Sequence, residues 1–270
     1  MIIRKFGRFL QKAGDELVAR SSVQTIRRLY PVAIDHRNLK DNQLKPGEGI
    51  ETFDQAAYQA INQARLAHLA SLDLPLEGKQ VLDVGCGVGH LSQFFVERNC
   101  PVVCLDGRAE NIASLHQRFP DLPAHVVDVE RDPLSQFGRF DIVFAYGLLY
   151  HLENPLHALR NMASACQEML LLETQICDHT LPIVRIEGET AAYSQALHGL
   201  GCRPSPSYIV LALKQIGFPF IYAPLQPPQH PQFQFRWKNN LDWRRNGHPL
   251  RCIFVASHVE LYNPKLISLI

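Results

Sequence analysis

From residue 80 onward, short apolar runs alternate with longer segments of helical spacing, and this alternation predicts most of the fold. The runs QVLDV (80–84), PVVCLD (101–106), AHVVDV (124–129), DIVFAY (141–146) and EMLLLE (168–173) are nearly continuous. Strands without polar alternation are buried on both faces, as in a parallel sheet covered by helices. The intervening segments HLSQFFVERN (90–99), AENIASLHQRF (109–119) and PLHALRNMASACQ (155–167) have apolar residues at helical intervals and supply the crossovers. A further helix, SYIVLALKQIGF (207–218), follows Ser205-Pro206, and two more strand candidates come after it, PFIYAP (219–224) and RCIFVASHVEL (251–261).

The chain before residue 76 is patterned differently. Ile2, Ile3, Phe6, Phe9 and Leu10 share one helical face, with Arg4, Lys5, Arg8 and Lys12 elsewhere. Such a helix fits weak contact with a membrane surface or docking on its own protein, and docking is the expectation. Residues 34–50 are polar and turn-rich. Thr52 and Gln55 then make a capping-box pattern ahead of Phe53, Ala57, Ile61, Ala64, Leu69 and Leu72 at helical spacing, ending before Pro75. The expected organisation is a helical cap or lid over 1–75 and an α/β core over 76–270. Insertions interrupt the core at about 174–205 and 225–250, and loops of that length are usually functional.

Composition narrows the possibilities. With 270 residues and 46% apolar content the chain can bury a full core, and its net charge of +1 gives no global attraction to nucleic acid. The seven cysteines include no CxxC pair and no zinc-ligand spacing, so they read as free thiols in a reducing cytoplasm. No run of ~18 apolar residues exists to span a bilayer, and the first residues are too charged for a secretory signal.

The first candidate chemistry is VLDVGCGVGH (81–90). Gly85, Gly87 and Gly89 directly follow a strand and precede a helix, where a backbone without Cβ can turn sharply and admit a ligand. The pattern is D-x-G-x-G-x-G from Asp83. A dinucleotide fold wants G-x-G-x-x-G, and His90 stands where its third glycine belongs, which weakens a nicotinamide-dependent oxidoreductase reading. Asp106 ends the second strand, placed to accept hydrogen bonds from both hydroxyls of a ribose. Asp128 ends the third, placed for an adenine amino group.

With these motifs in place, VLDVGCGVGHLSQFF, VVCLDGR, VVDVE and FDIVFAYGLLYHLENP resemble the class I S-adenosylmethionine-dependent methyltransferases over about residues 78–175. The segment AYGLLYHLENP is similar to those of small-molecule O-methyltransferases and of tRNA wobble-uridine carboxymethyltransferases. The resemblance implies a Rossmann-like seven-stranded sheet, mostly parallel with its last strand antiparallel, and S-adenosyl-L-methionine as cofactor, leaving as S-adenosyl-L-homocysteine. It implies that Gly85, Gly87 and Gly89 line the methionine moiety and that Asp83 holds its amino group. Asp106 would then hold the ribose, Asp128 and Val129 the adenine, with Tyr146 and Gly147 beside the methionine.

For a hydroxyl acceptor a base is needed, and His151 is the candidate, with Tyr150 as its neighbour. His90 reads as a capping or packing residue and His125 as a core histidine. Glu173, Asp178 and His179 lack tight ligand spacing, and no metal is expected. The segment FQFRWKNNLDWRR (233–245) interleaves Phe233, Phe235, Trp237 and Trp243 with Arg236, Lys238, Arg244 and Arg245. It would suit RNA, a sugar or an anion. The expected function is O-methylation of a small molecule, a sugar or secondary metabolite, in the cytoplasm. The alternatives are a tRNA-modifying methyl- or carboxymethyltransferase and an inactive cofactor-binding scaffold.

Overall fold

A computed structural model describes residues 49–190 and 192–270. The expected membrane-surface or docked helix at 2–12 and the loop at 34–48 lie outside the described residues. A 3-10 turn at Ile50–Asp54 leads into helix α1 (Ala56–Ser71). Thr52 does not cap this helix: Gln55 holds the N-cap position, and its own N–H is bonded to the Thr52 carbonyl at 3.3 Å.

The core alternates strand and helix as the pattern predicts. Its first half is β1 (Val81–Val84), α2 (Gln93–Val96), β2 (Val102–Asp106), α3 (Ala109–Arg118), β3 (Ala124–Val126) and β4 (Phe140–Tyr146). The second half is α4 (Pro155–Ala165), β5 (Cys166–Gln175), β6 (Val184–Gly188), β7 (Leu200–Pro204), α5 (Pro206–Ile216), β8 (Phe220–Pro224), β9 (Arg244–Arg245), β10 (His248–Pro249), β11 (Arg251–Ser257) and β12 (Leu266–Ser268). The main sheet runs β3-β2-β1-β4-β5-β11-β8-β12. Strands β1 to β5 are mutually parallel, and β11 is antiparallel to both β5 and β8. All seven expected strands are present, and β12 adds an eighth at the edge, antiparallel to β8.

The unbroken apolar runs have a direct cause. Ile142 and Phe144 of β4 and Leu171 of β5 face α1, α2 and α3, joining Ile61, Phe95 and Leu115 in one core. Val143 and Ala145 with Leu170 and Leu172 face α4 and α5, joining Leu159, Met162 and Leu213 in the other. The apolar residues of β4 and β5 are therefore buried, whichever way they point.

Two of the expected elements, one residue and both insertions differ from expectation. Helix α2 is four residues, because residues 85–92 are spent on turns that bring Ser92 under the first strand. Strand β3 stops at Val126, so Asp128 lies two residues beyond it rather than at its end. His125 is exposed, not a core residue: β3 is an edge strand, and the imidazole lies against Phe137 with centroids 5.1 Å apart. Both insertions carry secondary structure, the antiparallel pairs β6–β7 and β9–β10.

Candidate active site

A cleft opens at the C-terminal ends of β1, β2 and β4, where a doubly wound sheet places its ligands. The loop after β1 forms one wall. The N–H groups of Gly85 and Cys86 both donate to the Leu105 carbonyl, at 2.7 and 3.0 Å, which folds the chain back sharply. Gly85 (φ +77°) and Gly87 (φ +56°) lie in the left-handed region, and both line the cleft. A Cβ on Gly87 would come within 2.8 Å of the Phe53 ring, and one on Gly85 within 2.9 Å of Leu148. Gly89 serves packing instead, since a Cβ there would press on Leu115 and Phe119. Asp83 lies beneath the loop, 2% exposed, and accepts the Ser92 hydroxyl at 2.6 Å. Burial pushes its carboxyl up to about 7 despite that bond.

Asp106 closes the base of the cleft. Its carboxylate accepts Gly87 N–H at 3.0 Å, Arg108 N–H at 2.9 Å and the Asn111 amide at 3.0 Å. Burial holds this carboxyl above its ordinary value, against those hydrogen bonds. Asp128 and Val129 line the far end. Asp128 accepts Glu130 N–H at 3.0 Å and pairs with His198 at 2.8 Å. Asp128, Glu130 and His198 bring donor atoms within 4.8 Å of one another, but Glu130 also accepts Asn154 N–H, so each has a protein partner. The trio Glu173, Asp178 and His179 is dispersed: Glu173 pairs with two arginines, Asp178 with Arg245, and His179 accepts Leu181 N–H.

The third wall follows β4. Gly147 (φ +85°) turns the chain beside Arg65, and a 3-10 turn at Leu149–His151 brings Tyr150 and His151 to the cleft. His151 Nδ1 stands 2.5 Å from Glu189 Oε2. Glu189 leaves the end of β6 and is buried, accepting Ala196 N–H at 2.9 Å and Arg203 Nη2 at 3.1 Å. Burial raises its carboxyl, but the charges of His151 and Arg203 outweigh that and bring it down to about 2. The Tyr150 hydroxyl accepts from Arg251 at 3.1 Å, and Arg251 is paired with Glu173 at 2.9 Å. Glu173 also holds Arg65, at 2.5 Å. Tyr146 lies behind this group; its hydroxyl is buried without a hydrogen-bond partner among the described residues, and burial raises it.

The structure thus brings Gly85, Gly87, Asp106, Asp128, Val129, Gly147, Tyr150 and His151 to one cleft, while Asp83, Gly89 and Tyr146 stand behind its lining. Sequence reasoning missed Phe53 and Tyr58, whose rings meet edge-on at 5.2 Å over the glycine loop, and Tyr193 and Gln195 from the 189–199 loop. It also missed Glu189 and Arg203. Phe53 belonged to a helical stripe that reads as packing, and Glu189 is one acid inside an insertion, with no motif around it.

A family model described as a methyltransferase domain matches residues 55–222, more than half of the chain. The chain belongs to the methyltransferase family. S-adenosylmethionine is the cofactor of this class. The relatives of this methyltransferase include a tRNA U34 carboxymethyltransferase of Haemophilus influenzae (strain 86-028NP). It is 29% identical over 162 residues, covering 57% of this chain and 48% of the relative. A ubiquinone biosynthesis O-methyltransferase of Bordetella avium (strain 197N) is 34% identical over 109 residues, covering 39% of this chain and 45% of the relative. The chain therefore spans about half the length of the curated relatives it matches. Among solved structures, the N-terminal domain of EvdMO1, crystallised with S-adenosylhomocysteine and D-fucose, superposes with a TM-score of 0.56. Identity there is 20%, over 73% of this chain and 81% of that one. Magnesium protoporphyrin IX methyltransferase of Synechocystis PCC 6803, with S-adenosylhomocysteine bound, gives a TM-score of 0.52. Identity is 18%, over 87% of this chain and all of that one. At these identities the two structures bear on the fold alone. Among the described residues no helix is long and apolar enough to cross a membrane.

Proposed function

We propose that this methyltransferase moves a methyl group from S-adenosylmethionine to a hydroxyl of a small molecule, a sugar or secondary metabolite. The observation that carries this reading is His151 on the cleft wall, backed by a buried carboxylate and facing the same space as Gly85, Gly87 and Asp106. The cradle suits the cofactor on its own terms: Gly85 and Gly87 bare the backbone on the cleft wall, and a Cβ at either would press on Leu148 or Phe53, which line the same cleft. In this reading the Gly85–Gly87 backbone and Gly147 take the methionine moiety, Asp106 the ribose, and Asp128 with Val129 the adenine. Asp83, Gly89 and Tyr146 support those groups from beneath. When bound, the cofactor supplies an activated methyl on a sulfonium. His151 then takes the acceptor's hydroxyl proton, Tyr150 fixes the acceptor's orientation, and Phe53 and Tyr58 keep water from the cradle.

A second reading is modification of tRNA. It is favoured by the relatives named for that activity and by exposed Arg236, Trp237, Lys238 and Arg244 on the 225–250 insertion.

Titration calorimetry with S-adenosylmethionine tests the cofactor assignment: saturable binding is expected, weakened about 10-fold or more in Asp106→Ala as charge-assisted hydrogen bonds are lost. Methyl transfer is then assayed against a panel of hydroxylated small molecules and against unmodified tRNA. Transfer to a small-molecule hydroxyl, lost in His151→Ala, supports the first reading, and transfer to tRNA alone replaces it with the second. Binding without transfer to either would leave a cofactor-binding scaffold.

A further inference from the structure

The β6–β7 hairpin and the loop between its strands carry the side chains that hold His151 and its turn. The hairpin is an insertion relative to the alternating core, yet its residues converge on one side chain, His151. Glu189, at the end of β6, meets Nδ1 of the imidazole. Arg203, on β7, is buried and holds Glu189 with Nη2 while Nη1 donates to the Tyr150 carbonyl at 2.8 Å, so one guanidinium ties the acid to the turn that carries the histidine. Ala196 N–H holds the Oε2 that faces His151. Gly201, also on β7, lets the strands close: a Cβ there would stand 2.5 Å from the Tyr150 carbonyl and closer still to Glu189.

We propose that Glu189 is a positioning residue for the transfer, holding the proton of neutral His151 on Nδ1 and leaving Nε2 as the proton acceptor toward the cleft. This rests on the reading of His151 as the base. The hydrogen-bond roles follow from elementary chemistry. A carboxylate only accepts, so the ring nitrogen it meets must donate, and in a neutral imidazole the other nitrogen then carries the lone pair. Nε2 makes no hydrogen bond to the described residues, and His151 lines the cleft. As the new O–C bond forms and the methyl–sulfur bond breaks, the hydroxyl proton passes to Nε2. The resulting imidazolium has both nitrogens protonated, with the Glu189 carboxylate 2.5 Å away to balance its charge. The other charged groups near the ring are Arg203, which faces Glu189, and Asp106, Arg108 and Asp128 along the same cleft; Tyr150 packs on the ring at 4.1 Å. The three donors, His151 Nδ1, Ala196 N–H and Arg203, keep Glu189 an acceptor against burial, which by itself raises its carboxyl.

Glu189→Gln is the sharp variant. The site offers three donors to this side chain, and a glutamine amide must turn its NH2 toward one of them. Facing His151 it would donate to Nδ1 and force the proton onto Nε2, removing the base. The test records 15N chemical shifts of the His151 imidazole in the cofactor complex, together with kcat and KM for the acceptor. Expected are an Nδ1–H tautomer in the native protein and a shift toward Nε2–H in Glu189→Gln. A fall in kcat of about 10²-fold should accompany it, with KM and cofactor affinity within about threefold. Glu189→Asp, which keeps the charge, should recover part of kcat and the native tautomer. An Nε2–H tautomer in the native protein, or unchanged kcat in Glu189→Gln, overturns the proposal. Because the tautomer is read without any acceptor, a failure of Glu189 is distinguished from a failure of the base assignment, which His151→Ala reports.

Discussion

Gly87 and Asp106 act as one unit at the residue scale: the backbone N–H of the first is a ligand of the carboxylate of the second, 19 positions later. Gly87→Ala would place an L side chain at φ +56° and press its Cβ on Phe53. The backbone strain alone costs about 1–2 kcal/mol. Urea denaturation should report a loss of that size, and titration calorimetry should report weaker S-adenosylmethionine binding as the N–H leaves Asp106. A variant with unchanged affinity would mean that the cradle is not where the cofactor lies. The residues legible in the sequence were those whose chemistry is local, such as glycines on a turn or an acid at the end of the next strand. Glu189 was not legible, because nothing in positions 184–194 marks it; only the close approach of Gly201 and the reach of Arg203 give it a function.

Elements were legible in proportion to how much of each they bury. Strands β1, β2, β4 and β5 are buried on both faces and show unbroken apolar runs, and α3 and α4 have apolar stripes facing the two cores. The β6–β7 and β9–β10 hairpins and β12 were missed because they are short or have an exposed face; Asn246-Gly247 does mark the β9–β10 turn, but the two-residue strands beside it carry no apolar pattern. The joint between α1, β5 and β11 was likewise beyond reach of the sequence. It depends on Glu173 sitting between Arg65 and Arg251, 108 and 78 positions away. All three are nearly fully buried. Removing the acid leaves two guanidiniums without a counter-charge, and breaking a buried pair this way costs about 3–5 kcal/mol. Glu173→Gln should therefore lower the unfolding free energy obtained from urea titration by that amount, and it should also loosen Tyr150, whose hydroxyl is held by Arg251. A loss below about 1 kcal/mol would show that water reaches the joint.

For the whole molecule, the buried carboxyls set the pH dependence of stability, and they divide by sign. Glu189 falls from its ordinary 4.5 to about 2 on folding, so the stability it adds is present above 4.5 and is lost as pH drops toward 2. Asp83 moves the other way, from 3.8 to about 7, because it is nearly fully buried with one hydroxyl for company. Below 3.8 it is protonated in both folded and unfolded chains. Between 3.8 and about 7 the unfolded chain releases the proton while the folded one keeps it, so stability declines as pH rises across that window. Asp106 and Glu130, also raised by burial, act in the same sense. A shift of three pKa units corresponds to about 4 kcal/mol at the upper limit, and relaxation around Asp83 would bring the measured loss to the order of a few. Asp83→Asn has the same shape and keeps an oxygen for the Ser92 hydroxyl, so it should abolish most of the decline and be more stable than the native chain above pH 7. The check is urea unfolding of both proteins at intervals from pH 4 to 8. Parallel profiles would mean that Asp83 stays ionised in the folded chain, with water reaching it beneath the glycine loop.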